Sequence, residues 1–392
     1  MLTREEVVES LLNRQILKPD TTLMSTFLSG KAVLVAGAGG TIGAALCNQI
    51  IQQQPATLVL YEFSEPALQA ITGQLRQVLS AQKQVSRLKI VPVLASINDT
   101  PRLKAALQHH RIDIIFHAAA YKHVDLIEKN VFSGIQNNIF GTRVLGHVAR
   151  TCGVGHVVFV STDKAHQPNS IMGVTKRLAE QCLLSAGPEQ TRTRFSIVRF
   201  GNVLDSSGSV IPLFQQQILG GGPVTVTHPE MTREFLTAIE AAQLTIQAGA
   251  ISRGKEVFSF KISEPVRIVD LARKLIGLLG YSECKTCSDL GCHCEKGIRV
   301  RYIGLREGES EASLKTPSGQ AKGVTRHPNI YTLASKQIDP AVFRAILVKL
   351  EEACERQDES AARHALDHAV RNLNKRLSAP RMAELPSEKF AV

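Results

Sequence analysis

The sequence predicts an α/β protein: a doubly wound parallel sheet, then a smaller C-terminal domain and a helical tail. Three observations predict it. Short apolar runs alternate with amphipathic stretches through the first half of the chain, the pattern of βαβ units. Those runs are apolar at nearly every position, as strands buried on both faces are. After about residue 205 the alternation gives way to Gly- and Pro-rich loops such as Gly220-Gly221-Gly222-Pro223 and His228-Pro229.

Taken in order, residues 1–30 read as a helix, a Pro-containing turn and a second helix ending at Ser29-Gly30. Residues 32–36 form a first strand, 37–43 a turn and 44–54 a helix. Residues 57–61 are a second strand and 66–81 a second helix. Four more strands follow at 88–94, 113–117, 157–160 and 194–198. An amphipathic helix covers 265–280, and from about 340 the chain is helical and polar with alternating charge.

With 392 residues, 44% of them hydrophobic, the chain can bury one large core and a smaller one. No apolar run reaches the ~18–20 residues of a membrane span. The start, MLTREEVVESLLNRQ, carries acidic residues where a signal peptide is basic. A cytoplasmic protein without a membrane span is therefore expected. The net charge is +11, but Lys and Arg are dispersed, Trp is absent and aromatics make up 5%, which argues against nucleic acid and for a phosphorylated small molecule. Of eight cysteines, Cys47, Cys152, Cys182 and Cys354 are isolated in apolar or helical stretches and read as buried thiols of a reducing compartment. The other four, Cys284, Cys287, Cys292 and Cys294, fall within eleven residues. They suit a structural Zn²⁺ held by four thiolates, or remain unliganded surface thiols, or serve an iron–sulfur or redox role.

Gly37-Ala38-Gly39-Gly40-Thr41-Ile42-Gly43 follows a strand and opens a helix. In a Rossmann-type fold Gly37 permits the tight turn, Gly40 lets backbone approach a pyrophosphate, and Gly43 lets the helix pack closely on the sheet. The helix N-terminus then offers free N–H groups to the anion. Glu62, 19 residues past Gly43, ends the next strand. A carboxylate there bonds the ribose hydroxyls of NAD and repels the 2′-phosphate of NADP, although a nearby Arg or Lys can still admit NADP.

Four further stretches carry a resemblance: HAAAYKHV at 117–124 with NNIFGT at 137–142, STDKAHQPNSIMGVTKR at 161–177, RFGNVLDSSGSVIPLF at 199–214, and THPEMTREF at 227–235. Together with GAGGTIG they resemble the extended short-chain dehydrogenase/reductase superfamily, and within it the CapD-type nucleotide-sugar 4,6-dehydratases of polysaccharide biosynthesis. The resemblance covers about residues 8–380. It implies an NAD(P)-binding domain over 31–205 with a return segment at 232–260. A mainly substrate-binding domain over 206–335, with the Cys-rich loop 284–294, and C-terminal helices over 336–392 complete the division, after an N-terminal extension of 1–30. It also implies a homo-oligomer and a nucleotide-sugar substrate, UDP-N-acetylglucosamine in the common case.

By the same resemblance Asp163 and Lys164 are the acid/base pair, beside Thr162, and Lys176 is the lysine that bonds the nicotinamide ribose. Gly37, Gly40, Thr41, Ile42, Gly43, Glu62, Ser96, Ile97, Ala118, Ala119, Ala120, Lys122 and Asn138 would face the cofactor. His123, Asn202, Ser206, Ser207, Ser209, Val210, Arg233, Arg306 and Glu309 would face the substrate. The sequence departs from the pattern in places. Met172 occupies the position of the superfamily's tyrosine, as in a recognised subgroup of CapD-type enzymes, and a thioether cannot exchange a proton. That leaves Thr162 relaying to another group, or Asp163, to accept the C4 hydroxyl proton. Ala95-Ser96 replaces the usual Gly-Asp near adenine, and the lysine after Arg306-Glu307-Gly308-Glu309 is missing. A nucleotide-sugar epimerase and a non-catalytic NAD-binding sensor or scaffold are the rival readings.

Overall fold

The computed structural model describes residues 4–81, 88–185, 192–204, 206, 209–262, 265–284, 296–305 and 321–374. Two short helices, α1 (Arg4–Leu12) and α2 (Thr21–Leu28), precede the sheet, the second capped by Asp20, whose carboxylate accepts from Leu23 N. The alternating half follows as β1 (Ala32–Ala36), α3 (Thr41–Ile51), β2 (Thr57–Glu62), α4 (Glu65–Ala81), β3 (Lys89–Leu94) and α5 (Thr100–His109). Next come β4 (Ile114–His117), α6 (Val124–Lys129), α7 (Val131–Gly134), a π-helical stretch (Ile135–Phe140) and α8 (Gly141–Thr151). Then β5 (His156–Thr162) runs through a 3₁₀ turn (Asp163–Ala165) to α9 (Ile171–Leu184) and β6 (Arg194–Phe200). The helix expected at 44–54 starts three residues earlier, because Gly40 itself is the N-cap and the turn leads straight into it.

The later half supplies β7 (Asn202–Val203), α10 (Val210–Leu219), β8 (Val224–Val226), β9 (Thr232–Arg233), β10 (Phe235–Leu236) and α11 (Ala238–Ile251). It continues with β11 (Glu256–Phe260), β12 (Val266–Arg267), α12 (Ile268–Leu278), β13 (Ser282–Glu283), β14 (Gly297–Ile298) and β15 (Val300–Tyr302). The end is β16 (Ala321–Val324), β17 (Ile330–Leu333), α13 (Pro340–Arg356) and α14 (Glu359–Asn374).

One nine-stranded sheet has the order β16-β17-β11-β6-β5-β4-β1-β2-β3. Every pair from β11 to β3 is parallel, the doubly wound arrangement the sequence predicts. The β17 and β16 edge is antiparallel. Only five residues separate β16 from β17, too few for the crossover that parallel pairing needs. The chain winds outward one way from β1 to β3 and the other way from β4 to β6, so a crevice opens beyond the C-terminal ends of β1 and β4.

Four apolar cores follow. Leu46, Ile50 and Ile246 cover one face of the sheet with Leu28 of α2, and Leu107, Leu145 and Leu183 cover the other. A third core joins α9 to the C-terminal helices through Leu178, Phe343, Ile346, Leu350 and Leu366. The fourth belongs to the smaller unit, where Leu11 and Leu12 pack with Phe214, Ile218, Leu271 and Leu275. Arg14 ties the N-terminal arm to Glu240 of α11 by two bonds of 2.6 and 2.9 Å. Cys47, Cys182 and Cys354 are buried and free as expected; Cys152 is half-buried instead, at the end of α8. Among the described residues no helix is long and apolar enough to cross a membrane.

Candidate active site

The crevice holds two adjoining cavities. The smaller, about 210 Å³, lies over the ends of β1, β2 and β4; the larger, about 680 Å³, runs from the α3 N-terminus past β5 to the loop after β6. Gly40, Ala118, Ala120 and Tyr121 line both, which makes one continuous groove.

The glycine turn is shaped for close approach. Gly37 has φ +77°, and a Cβ there would lie 2.7 Å from Ala119 Cα. A Cβ on Gly43 would collide with the Gly37 carbonyl oxygen. Thr41, Ile42 and Gly43, in the first turn of α3, line the larger cavity, so the positive end of the helix faces it.

Glu62 ends β2 on the wall of the smaller cavity, but its carboxylate is already engaged. Oε2 accepts from Gly39 N at 3.0 Å, and Oε1 accepts from Phe63 N and Ser64 N, each at 3.0 Å. A carboxylate has about four acceptor positions, so roughly one remains for a ribose hydroxyl. Tyr61 escaped the sequence reading: its hydroxyl donates to Ser96 O at 3.0 Å and fixes the Ala95-Ser96-Ile97 wall. Burial, then the charge of Asp99, pushes that phenol up to about 12. At the mouth the exposed rings of Phe63 and Tyr121 stand edge to face, 6.4 Å apart.

Asn138 was expected against the cofactor and sits elsewhere. It is 1% exposed and lines neither cavity. Its Oδ1 accepts from Tyr121 N at 2.8 Å, and its Nδ2 donates to Tyr121 O at 3.0 Å and Thr175 Oγ1 at 3.1 Å. With the amide spent on backbone, Asn138 shapes the groove through Tyr121. Lys122 and His123 line the larger cavity, and burial lowers the Lys122 pKa.

At the end of β5, Ser161, Thr162 and Lys164 face the larger cavity. Thr162 Oγ1 donates to Asp163 Oδ1 at 2.7 Å, which also accepts from Lys164 N at 2.8 Å. Lys164 Nζ is 3.6 Å from the same oxygen. Asp163 itself lies behind Thr162: a Cβ on Gly201 would be 3.5 Å from its Oδ2. Met172 and Lys176 of α9 close the floor. Lys176 Nζ donates to Val160 O at 2.7 Å and stands 4.0 Å from the Phe159 ring centroid. Burial drags its pKa down to about 7 against the opposing pull of Glu180. His117, another residue the sequence did not flag, is sealed beneath with Nε2 2.9 Å from Thr142 Oγ1. Burial, then the Lys176 charge, brings it to about 3.

Asn202, Ser206 and Ser209 line the far end. Ser209 Oγ is buried with no hydrogen-bond partner among the described residues, an atom placed to receive a ligand group. Val210 does not line the cavity; its side chain packs on the smaller unit's core. Arg233 lines neither cavity and is held in the β9–β12 pair, its Nη1 donating to Thr232 O at 2.9 Å. Ser207, Arg306, Glu309, Cys287, Cys292 and Cys294 lie outside the described residues. Cys284 is buried after β13, and among the described residues no group of three or more His, Cys, Asp or Glu is placed to hold a metal.

Comparison with known proteins agrees with this fold. The capsular polysaccharide biosynthesis protein CapD of Staphylococcus aureus is 42% identical over 302 residues, 77% of this chain and 48% of that protein. The chain thus spans about half the length of this relative. The X-ray structure of Pen from Bacillus thuringiensis is 32% identical, with a TM-score of 0.65 over 79% of this chain and 90% of that one. The crystal structure of DesIV, a dTDP-glucose 4,6-dehydratase from Streptomyces venezuelae with NAD bound, shares the fold at 22% identity, with a TM-score of 0.59 over 71% of this chain and 86% of that one. Residues 33–335 match the sequence model of the family described as "Polysaccharide biosynthesis protein", and the chain belongs to that family.

Proposed function

We propose that the chain is a nucleotide-sugar 4,6-dehydratase, acting on a UDP-sugar such as UDP-N-acetylglucosamine, with NAD as its recycled hydride carrier. The observation that carries this reading is that Thr162 and Lys164 line the same groove as the glycine turn, with Asp163 bonded to the Thr162 hydroxyl. The residues present fit a dinucleotide. A side chain on Gly37 would strike Ala119, the α3 N-terminus suits the pyrophosphate, and Glu62 with no cation from its own loop (Phe63-Ser64-Glu65) favours NAD over NADP.

Bound NAD⁺ would supply a hydride acceptor, filled with the hydrogen from C4 and emptied again at C6 within one turnover. Thr162 Oγ1 would take the C4 hydroxyl proton and pass it to Asp163, to which it already donates. The ketone then present at C4 acidifies C5, and Lys164 would remove that proton. The proton stored on Asp163 would pass back through Thr162 Oγ1 to the departing C6 hydroxyl, which leaves as water, and Lys164 would give its proton back to C5. Lys176 would hold the nicotinamide end of the groove with the N–H not committed to Val160 O. A cytoplasmic site of action and a homo-oligomer belong to the same reading. Because α13 and α14 already cover the outer face of α9, pairing of subunits would use other surfaces.

Purified protein incubated with NAD and a panel of UDP- and GDP-sugars, followed by mass spectrometry, tests the reading. Loss of one water from a nucleotide sugar supports it. An isomer of unchanged mass points instead to epimerisation, and bound NAD without turnover points to a sensor.

A further inference from the structure

A dense cluster of buried charge lies directly beneath the end of β5. Glu180 of α9 is completely enclosed, and its carboxylate takes four bonds. Oε1 accepts from Ser161 Oγ at 2.6 Å and Arg199 Nε at 2.7 Å; Oε2 accepts from Arg177 Nη1 at 2.8 Å and from Arg199 Nη2. Burial alone would raise this carboxyl, but Arg199 and Arg177 overcome it and hold it at about 2. Two guanidiniums against one carboxylate leave a net positive charge in the interior. Such sets are costly to desolvate and often stabilise a fold less than apolar packing would, so stability is a weak reason for this one.

Its connections suggest another reason. Ser161 lines the larger cavity and directly precedes Thr162, Asp163 and Lys164, and Arg199 is its registered neighbour on β6. On the other side Arg177 reaches out to the link between β17 and α13. Its Nη1 donates to Ser335 Oγ at 3.0 Å and its Nη2 to Lys336 O at 2.5 Å. One turn along α9, Gln181 Oε1 accepts from Ile338 N at 3.1 Å. His166, just past the reaction turn, faces the same cluster with a buried Nε2 that has no partner among the described residues. A continuous line of hydrogen bonds therefore runs from the seated C-terminal link to the strand end that carries the proposed acid and base.

We propose that Glu180 is a positioning residue: through Ser161 it fixes the Thr162–Asp163–Lys164 turn against the cavity, and through Arg177 it ties that placement to the seating of residues 335–338. The catalytic consequence rests on the dehydratase reading; the placement does not. The test uses the full chain with Ser161→Ala, Ser161→Thr and Ser335→Ala. It measures kcat, KM, Tm and the rate at which an amine reagent modifies Lys164 relative to exposed Lys18, read by peptide mass spectrometry.

Ser161→Ala is expected to lower kcat about tenfold while KM stays within about twofold, and to change relative Lys164 labelling by about threefold, with Thr restoring both. Ser335→Ala, outside the cavity, is expected to lower kcat about two- to threefold through the same line, and it carries the test alone if Ser161→Ala does not fold. Wild-type kcat and Lys164 labelling in both alanine variants would overturn the proposal. A wild-type protein that turns over no nucleotide sugar, with Lys164 labelling still altered by Ser161→Ala, removes the dehydratase reading and leaves the positioning network standing.

Discussion

Replacing Lys176 by methionine should change how stability depends on pH, and the structure fixes the sign. In the fold, burial lowers this ammonium from 10.5 to about 7. Between those values the unfolded chain holds a proton that the folded chain has released. Unfolding therefore takes up a proton and becomes harder as pH rises; the stability is fully present above the unfolded value and is lost as pH falls through the folded one. One proton corresponds to about 1.4 kcal/mol per pH unit, or about 2 to 3 kcal/mol between pH 7 and 9. Lys176→Met removes the group from both states. Urea unfolding of the two proteins at half-unit steps from pH 6 to 9 should show the wild type gaining on the variant above about pH 7, with the gap flat below it. A gap that stays constant from pH 7 to 9 would refute the argument, since it would mean that Lys176 keeps its proton in the fold.

Other expectations follow from single contacts. Gly43→Ala drives a methyl into the Gly37 carbonyl, so it should cost about 1–3 kcal/mol in thermal unfolding and abolish NAD binding by calorimetry. Thr162→Val removes the hydroxyl that donates to Asp163; kcat should fall about a hundredfold with little change in substrate affinity, and Thr162→Ser should recover most of it. Arg14→Ala strands the buried Glu240 carboxylate with only the backbone donors of Leu17 and Thr237, and denaturant unfolding should lose about 3 kcal/mol.

Much of this was legible in the sequence because the signals are local. The apolar runs place all six early strands, and the glycine turn and Glu62 are read within a few residues of them, whereas the Ser161–Lys164 stretch is singled out only by the family resemblance. What stayed hidden depends on distant partners. Glu180 reads as an ordinary helix carboxylate until β5, β6 and residue 335 are brought round it. Tyr61 reads as one more strand residue, and its hold on Ser96 appears only across the sheet edge. The tail from 340 reads as polar because charges dominate, yet Phe343, Ile346, Leu347 and Leu350 recur at helical spacing and bury one stripe against α9. The bonds of Asn138 to Tyr121 were also out of reach, because the π-helical stretch that carries it is set by packing and not by its own residue type.

Every residue of α9 from Met172 to Leu184 is buried, with the sheet on one side and the C-terminal pair on the other. Most amphipathic helices keep a wet stripe where mutation is cheap, so tolerance rises and falls every three or four positions. This one has none. A library covering it should show an unbroken block of intolerance, and an engineer seeking a silent place for a dye or a tag must look elsewhere.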